Sequence, residues 1–298
     1  MLYIGAGGWA YFRVPGMDPL SAYSAAFNFV EVNSTFYAFP STWTVRSWRR
    51  RVPPDFVFSV RCHRDLTHKY MLSPNQESCD VLSHSLRICN ELGAKILLIQ
   101  TPPGFNPDER LKDIRDLFSS FDSAHVRLVW EIRGQFSQPT VDLMRDLGII
   151  HCTDISREFP ASDSDIIYTR LFGHGEHNLY QFDDAELMAI HERVKSRKKA
   201  YLTFHGSKMY KDAARLRVYE EYRTFPHVTN SIGPESLRIV LEEDAKFPAT
   251  RRELIKSQGW KVIDLNENER VHASTLLKRL AERKYLSVGD VMEEIYQL

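Results

Sequence analysis

The chain has 298 residues, of which 43% are hydrophobic and 26% charged, and its 39 basic and 39 acidic side chains leave a formal net charge of zero. This balance excludes a strong global attraction to nucleic acid or to an anionic membrane and leaves room only for a local basic patch. The length suits one (β/α)8 barrel of roughly 200–250 residues with a small addition.

The first two thirds of the chain alternate between short apolar runs and helix-like stretches. The apolar runs are, in chain order, LYIG, NFVEVN, FVFSVRCH, KILLIQ, RLVWEIR, IIHCTD, IIYTR and AYLTFH. Strands separated by helices at this spacing indicate βαβ units with right-handed crossovers, and eight of them favour a closed barrel over an open doubly wound sheet. We therefore predict an α/β fold, a TIM-type (β/α)8 barrel, over residues 1–230.

The glycine-rich segment after the first run does not indicate a dinucleotide-binding fold. Residues 5–8 lack the GxGxxG spacing, and Trp9 and Tyr11 follow where a phosphate-binding helix would begin.

Helices are predicted between most of the strands. The segments are PLSAYSAAFNF, TWTVRSWRRR, ESCDVLSHSLRICNEL, DERLKDIRDLFSSF, TVDLMRDLG and DDAELMAIHERVKSRKK. Gly93 marks the end of the third, because glycine readily adopts the left-handed conformation that follows many last helical turns. The last segment is acidic at its start and basic at its end, which suits the helix dipole.

The pattern changes near residue 230. SLRIVLEE and GWKVIDL read as strands, whereas ATRRELIKSQ, HASTLLKRLAE and SVGDVMEEIYQL read as helices. These segments predict a small α/β appendage over residues 231–298, without a catalytic signature of its own.

Cysteine usage and hydropathy predict the compartment. The four cysteines have no CxxC spacing, which favours reduced thiols in a cytoplasmic protein over disulfides or a zinc site; they are Cys62, Cys79, Cys89 and Cys152. No segment approaches the ~20 apolar residues of a membrane span, and no secretory signal is expected at the N-terminus. Association with a membrane is therefore not predicted, and the oligomeric state is left open.

Polar residues end most of the predicted strands, where barrels of this kind carry their functional groups. The candidates for chemistry are Glu31, Glu131, Asp154 and His205. The candidates for ligand binding are Trp9, Asn33, Tyr37, His68, Gln100, Arg133 and Arg170.

Glu31 and Asn33 face the same side of the second strand, because side chains alternate along a strand. A buried glutamate needs a partner, since an unpaired charge there costs several kcal/mol. Glu31 either forms a structural ion pair, with Arg61 or Arg133, or orients a substrate.

Glu131 and Asp154 end neighbouring strands, so their carboxylates have three candidate roles at the barrel mouth. They can bind a divalent metal, act as a general acid/base pair, or hold arginines in place. The histidines available to such a metal are His63, His68 and His205. Their spacing along the chain matches no contiguous metal-binding motif.

Arg170 begins a loop after the seventh strand, a place where such barrels often bind phosphate. Its guanidinium offers a fork suited to phosphate or carboxylate. His174 and His177 in the same loop titrate near neutrality or are plain solvated loop residues. Aromatic residues such as Trp9 and Tyr37 suit the stacking of a base or a sugar.

Six segments resemble, in order, the motifs of the YecE-like family of TIM barrels, also called domain of unknown function seventy-two. They are IGAGGWAYF, FVEVNSTFYAFP, FVFSVRCHRDLTH, LLIQTPPGF, VWEIRGQF and IIYTRLFGHG, and they span roughly residues 1–225. The resemblance implies a barrel related in shape to endonuclease IV and xylose isomerase-like folds. The pocket residues that it implies are Glu31, Asn33, Tyr37, His68, Gln100, Glu131, Arg133, Asp154 and Arg170.

One departure from the family pattern concerns the ligand. Relatives usually carry a Phe-Asn-Asn run after the last strand, whereas this chain has Phe204, His205 and Gly206. An imidazole there replaces two amides.

Three functions remain open from the sequence. The first is phosphodiester or phosphate-ester chemistry on nucleic acid, with a divalent metal as one option. The second is a barrel that binds a nucleic acid or nucleotide without cutting it. The third is sugar isomerisation or hydrolysis, with Glu31 and Glu131 as paired carboxylates.

Overall fold

The computed structural model describes residues 1–119, 125–176 and 178–297. The chain divides into two compact units, of which the first comprises residues 1–171 with 194–204 and the second residues 172–193 with 205–298. The unit that contains the predicted appendage thus also takes in segments assigned above to the barrel. The domain boundary at residue 230 stays a prediction.

The first unit is a parallel barrel. Its described strands are β1 (Leu2–Ala6), β2 (Phe29–Val32), β3 (Val57–Arg61), β4 (Ile96–Thr101), β5 (Arg127–Ile132), β6 (Ile150–Cys152), β7 (Ile166–Leu171) and β8 (Lys199–Phe204). They form one eight-stranded sheet in the order β6-β5-β4-β3-β2-β1-β8-β7. A parallel bridge between Thr153 and Thr169 joins the two ends of that order. The predicted TIM-type barrel is therefore confirmed.

Helices follow the first five strands as predicted. The helices after the first five strands are α1 (Pro19–Ala26), α2 (Thr42–Arg50), α3 (Gln76–Leu92), α4 (Leu111–Ser119) and α5 (Gln138–Asp146). Gly93 ends α3 in the left-handed conformation, with φ 67°, as its position in the sequence indicated. The predicted end of the fourth helix, residues 120–121, lies outside the described residues.

The barrel interior changes from apolar to polar along the strands. Inward-facing side chains near the strand starts form one cluster: Phe29, Ile96, Leu98, Val129, Ile150, Cys152, Tyr168 and Tyr201. Two residues farther on, the same alternation turns polar side chains inward at four strands, namely Glu31, Gln100, Glu131 and Arg170. A polar layer therefore lies at the C-terminal ends of the strands.

The second unit has its own apolar core. Its elements are α6 (Asp184–Val194), whose last residue belongs to the first unit, α7 (Met209–Tyr222), α8 (Pro234–Asp244), β9 (Ala249–Thr250), α9 (Arg251–Gln258), β10 (Val262–Asn266), β11 (Glu269–His272), α10 (Ser274–Leu277), β12 (Lys284–Tyr285) and α11 (Val288–Ile295). β10 pairs with β11 and β9 with β12, both antiparallel.

The strand predicted from SLRIVLEE was wrong, because this segment lies within α8. Leu237, Val240 and Leu241 are buried together at helical spacing, and Pro234 stands in the first turn, where its missing N–H costs nothing. The predicted helix HASTLLKRLAE is shorter than expected, since only Ser274–Leu277 is α-helical.

Two properties bear on the predicted compartment. Within the part of the chain that the structure describes, no helix combines the length and the apolar character that a membrane span requires. All four cysteines are free thiols, and three of them are buried.

Gly5 allows β1 and β2 to approach each other closely. A Cβ atom at this position would lie 2.0 Å from the carbonyl oxygen of Phe29 and 2.7 Å from the Tyr23 hydroxyl. That hydroxyl accepts a hydrogen bond from the amide of Ala6 and donates one to the carbonyl of Phe29, each at 2.8 Å. We expect Gly5→Ala to lower the free energy of unfolding by about 1–3 kcal/mol, measured by urea denaturation.

Gly104→Ala is the matched control, because no atom lies within 4 Å of the Cβ that it would add. Equal stabilities for the two variants would contradict the steric argument.

Candidate functional site

Glu31 lies inside the barrel, fully buried. The Tyr168 hydroxyl donates a hydrogen bond to its Oε2 at 2.7 Å, and the Arg170 guanidinium lies 3.2 Å from its Oε1. Since Tyr168 uses its proton on Glu31, the Ser59 hydroxyl at 2.7 Å donates to the tyrosine oxygen. The predicted ion pair of Glu31 therefore exists, but its partner is Arg170 rather than Arg61 or Arg133.

Glu131 is held by three donors. Its Oε1 accepts hydrogen bonds from Gln100 at 3.0 Å and from Arg133 at 2.8 Å, and its Oε2 accepts one from Arg170 at 2.5 Å. Burial opposes the ionisation of this carboxyl group, but the charges of Arg170 and Arg133 outweigh it and lower the pKa of Glu131 to about 2. Glu131 is therefore ionised at neutral pH and has no proton to donate.

Arg170 joins the two carboxylates. Its side chain is 3% exposed and contacts Glu31 and Glu131 together. Burial acts to lower the pKa of this guanidinium, but the two carboxylates raise it above its usual value. The side chain predicted to bind phosphate is thus placed as the central cation of a buried network.

Arg61 extends the same network toward β2 and β4. It donates hydrogen bonds to Gln100 and, at 3.1 Å, to Asn33, and its guanidinium carbon lies 3.5 Å from the centre of the Phe36 ring. Burial and the charge of Arg170 lower the pKa of Arg61 to about 10, so it still carries its proton at pH 7. Its Nε is buried and has no hydrogen-bond partner among the described residues.

Within the polar layer, guanidinium groups outnumber carboxylates. Three guanidinium groups face two carboxylates, and the five residues are Glu31, Arg61, Glu131, Arg133 and Arg170. Of these, Arg133 is the most exposed, at 38% of its side chain. A guanidinium group that has no carboxylate of its own in a partly desolvated layer favours an anion.

Three predicted ligand-binding residues have aromatic neighbours. Tyr37 is 67% exposed and meets the Phe36 ring edge-on. His68 also contacts Phe36 and hydrogen-bonds through Nδ1 to the Thr67 hydroxyl at 2.8 Å. Burial, and then the charges of three arginines, lower the pKa of His68; they are Arg64, Arg61 and Arg133. Trp9 instead packs edge-on against Trp48 of α2, with ring centres 5.3 Å apart.

Asp154 forms the turn after β6. Its Oδ1 accepts hydrogen bonds from the Ser156 amide at 3.0 Å and the Ser156 hydroxyl at 2.6 Å, and Arg157 lies 3.7 Å from Oδ2. These contacts make the carboxylate a turn-stabilising group. Its chemical role stays a prediction.

The predicted histidines have different surroundings. His205 belongs to the second unit and stacks on Phe172 at 4.7 Å, and its chemical role stays a prediction. His63 stacks on Phe39 at 4.6 Å. His174 meets Tyr180 edge-on, and His177 lies outside the described residues.

The predicted metal ligands are not brought together among the described residues. The group of metal-ligating side chains that the structure does assemble in that part of the chain is Asp183, Glu186 and His272, in the second unit. At the mouth, the oxygens of Glu131 accept hydrogen bonds from an amide and two guanidinium groups, which a metal would have to displace.

Sequence reasoning undervalued two residues of the mouth. From the sequence, Arg61 is predicted only as a candidate partner of Glu31, and Phe36 is not predicted to take part in the site. The signal for Arg61 was available, because it stands two residues after the inward-facing Ser59. Phe36 lies in a short 3-10 turn, and no periodicity foretells its position under Arg61.

Comparisons with known proteins bear on the family. The model of the family described as "Protein of unknown function DUF72" matches residues 3–224. The chain is similar to the UPF0759 protein YecE of Escherichia coli (strain K12), with 30% identity over 113 residues, 37% of this chain and 40% of YecE. The UPF0759 protein YunF of Bacillus subtilis (strain 168) is 28% identical over 169 residues, 51% of this chain and 59% of YunF. Each alignment spans less than two thirds of the relative.

Solved structures share the fold. A DUF72 family protein from Thermotoga maritima MSB8 superposes with a TM-score of 0.58 and 20% identity, covering 74% of this chain and 99% of that one. Another from Enterococcus faecalis V583 gives 0.58 and 16%, covering 73% and 93%. At these identities the likeness concerns the barrel fold alone.

Proposed function

The chain belongs to the DUF72 family, and from the charge of its barrel mouth we propose that it binds a phosphate-bearing ligand, a nucleotide or a segment of nucleic acid. The observation that carries the proposal is the surplus guanidinium group in the polar layer. Two carboxylates are matched by Arg170 and Arg133, which leaves Arg61 as the cation without a carboxylate of its own in that layer.

The surroundings of the mouth suit a phosphate ester. Arg133 is partly exposed and needs only one of its nitrogens for Glu131, so other N–H groups remain for a phosphate oxygen. The exposed ring of Tyr37 offers a surface on which a base can stack. The zero net charge restricts such binding to this local patch rather than the whole surface.

Paired-carboxylate sugar chemistry finds less support. Such chemistry needs two carboxyl groups with substrate or water between them. Here the guanidinium of Arg170 bonds both Glu31 and Glu131. With its pKa lowered to about 2, Glu131 is also unsuited to act as a general acid at neutral pH.

Phosphodiester cleavage would be a further step of the same site. It requires a base or a metal in addition to the phosphate clamp, and Asp154 is the predicted candidate for the base within the first unit. Binding is therefore the property to test first.

We expect Arg133→Gln to weaken the binding of AMP and of a short single-stranded oligonucleotide by about tenfold or more, because one charge-assisted contact is worth roughly 1.5–3 kcal/mol. The plot of log K against log salt should also lose slope by about one phosphate contact. Isothermal titration calorimetry at several salt concentrations measures both. Glu131 keeps Arg170 and Gln100 in this variant, so the fold should persist.

Arg145→Gln is the matched control. It removes the same charge from α5, where Arg145 is 64% exposed and pairs with Asp142 at 2.9 Å, and it should leave affinity unchanged. Binding that shows no salt dependence, or equal affinity in both variants, would refute a phosphate site at the mouth.

A further inference from the structure

A second polar cluster lies in the second unit, apart from the residues of the proposed phosphate site. It joins the start of α6, with Asp183 and Glu186, to the end of β11, where His272 stands. One ligand atom from each of the three side chains lies within 4.8 Å of the other two. The side chains are largely buried, with 19–25% of their surface exposed.

Helix capping accounts for only part of this arrangement. Asp183 Oδ1 accepts a hydrogen bond from the Glu186 amide, and Glu186 Oε2 accepts one from the Asp183 amide, each at 2.9 Å. This reciprocal pair resembles a capping box at the first turn of α6. This pair leaves Asp183 Oδ2 without a hydrogen-bond donor. The Tyr180 hydroxyl donates to Glu186 instead.

The hydrogen bond of His272 determines its tautomer. Its Nε2 lies 2.8 Å from the carbonyl oxygen of Gln181, which can only accept, so Nε2 carries a proton. In the neutral ring the lone pair is then on Nδ1, and Nδ1 lies 3.6 Å from Asp183 Oδ2. No described residue donates a hydrogen bond to either atom, so with a neutral imidazole two acceptors face each other across this gap.

We propose that a divalent transition-metal ion, of the chemistry of Zn²⁺, binds between His272 Nδ1, Asp183 Oδ2 and the carboxylate of Glu186. Two ligand atoms of a tetrahedral zinc ion, each about 2.0–2.2 Å from the metal, lie about 3.4 Å apart. The 3.6 Å between His272 Nδ1 and Asp183 Oδ2 is close to that spacing, and a carboxylate oxygen of Glu186 lies within 4.8 Å of a ligand atom of each. A cation in that position would turn an unfavourable contact between lone pairs into two bonds.

The surroundings of the three ligands favour this assignment. A histidine that ligates a metal usually donates its other ring N–H to a carbonyl or carboxylate, as His272 does to Gln181. One imidazole with two carboxylates suits Zn²⁺ better than Mg²⁺, which prefers oxygen ligands and retains water. Tyr180 orients the Glu186 carboxylate from outside the ligand set.

Zinc titration of the full chain, purified without an affinity tag and treated with a chelator, tests the proposal. We expect one Zn²⁺ to bind per chain, more tightly than Mg²⁺, and to raise the Tm. His272→Gln and Asp183→Asn should each weaken this binding by more than the roughly 10–100-fold that changes outside the ligand set cost. The asparagine keeps an oxygen that can cap α6, so that variant should fold.

His227→Gln is the matched control. This histidine of the same unit lies near two carboxylates, but its Nδ1 is 3.0 Å from Asp264, within hydrogen-bond distance. The control should bind Zn²⁺ like the wild-type protein. If the wild-type protein, the two ligand variants and the control all bind Zn²⁺ equally, or if none of them binds it, the proposal is wrong. Arg133→Gln should bind Zn²⁺ normally, which separates this result from the phosphate proposal.

Discussion

Replacing Arg170 by methionine is expected to lower the free energy of unfolding at pH 7 by about 3–5 kcal/mol, the largest effect among the variants considered. The substitution removes the ion-pair partner of Glu31 and one of the two guanidinium partners of Glu131, deep in the barrel. A buried carboxylate that loses its countercharge retains its desolvation cost and loses the attraction that offset it. Urea denaturation followed by circular dichroism measures the change.

Two further variants separate charge from packing. Arg170→Met combined with Glu31→Gln and Glu131→Gln should recover part of the lost stability, because the unpaired charges are gone. Arg115→Met is the control, since Arg115 forms an exposed pair with Asp146 and should change stability by about 1 kcal/mol or less. A similar loss of unfolding free energy in Arg170→Met and Arg115→Met would contradict the claim that burial makes the ion pairs of Arg170 important for stability.

Acidification is expected to destabilise the protein through His151 by roughly 3 kcal/mol between about pH 6.5 and pH 4. His151 lies on β6 and is 4% exposed; burial lowers its pKa to about 4, although Glu131 acts in the opposite direction. The Ala161 amide donates a hydrogen bond to its Nδ1 at 2.9 Å, which also favours the neutral ring. Because the unfolded chain takes up the proton first, this stability is complete above about pH 6.5 and is lost as the pH falls toward 4.

His151→Asn tests this assignment. The asparagine oxygen can accept the same hydrogen bond from Ala161, but the side chain cannot titrate. Stability measured from pH 7 to pH 4 should therefore fall less steeply in this variant than in the wild-type protein. His174→Asn, at an exposed loop position, should keep the wild-type slope. Parallel curves for the wild-type protein and His151→Asn would rule out His151 as the acid-sensitive group.

Most of the barrel could be predicted from local pattern. Each strand shows as a short apolar run ended by polar residues, and Gly93 ends its helix where the spacing indicated. These features depend on neighbouring residues, which the sequence displays directly. The strand predicted at Ser236–Glu243 is wrong because its neighbouring residues alone did not determine its structure. In so short an apolar segment, periodicity alone does not distinguish a strand from a buried helix face, and packing against the core of the second unit decided the matter.

The residues of the site could be predicted from the sequence, but the ion pairs that they form could not. Glu31, Gln100, Glu131 and Arg170 stand out as polar strand ends, and the structure places them in one layer. The partner expected for Glu31 was on the neighbouring third strand or on the fifth, whereas the structure pairs it with Arg170 of β7. The metal candidates show the same limit, because Asp183 and His272 are 89 positions apart and share no motif.

The sequence by itself determined the alternation of strands and helices, the inward face of each strand and the identity of the charged residues at the strand ends. These properties follow from a periodicity of two in strands and from capping and turn residues, all of which act over a few positions. Only the tertiary structure decided which charges meet. Barrel closure brings Tyr168 within 2.7 Å of Glu31 across 137 positions of the chain. Barrel closure also places Arg170 beside both carboxylates of the layer, which leaves Arg61 without a carboxylate of its own there. The sequence does not show these pairs, because Coulomb interactions depend on distance in space and not on distance along the chain.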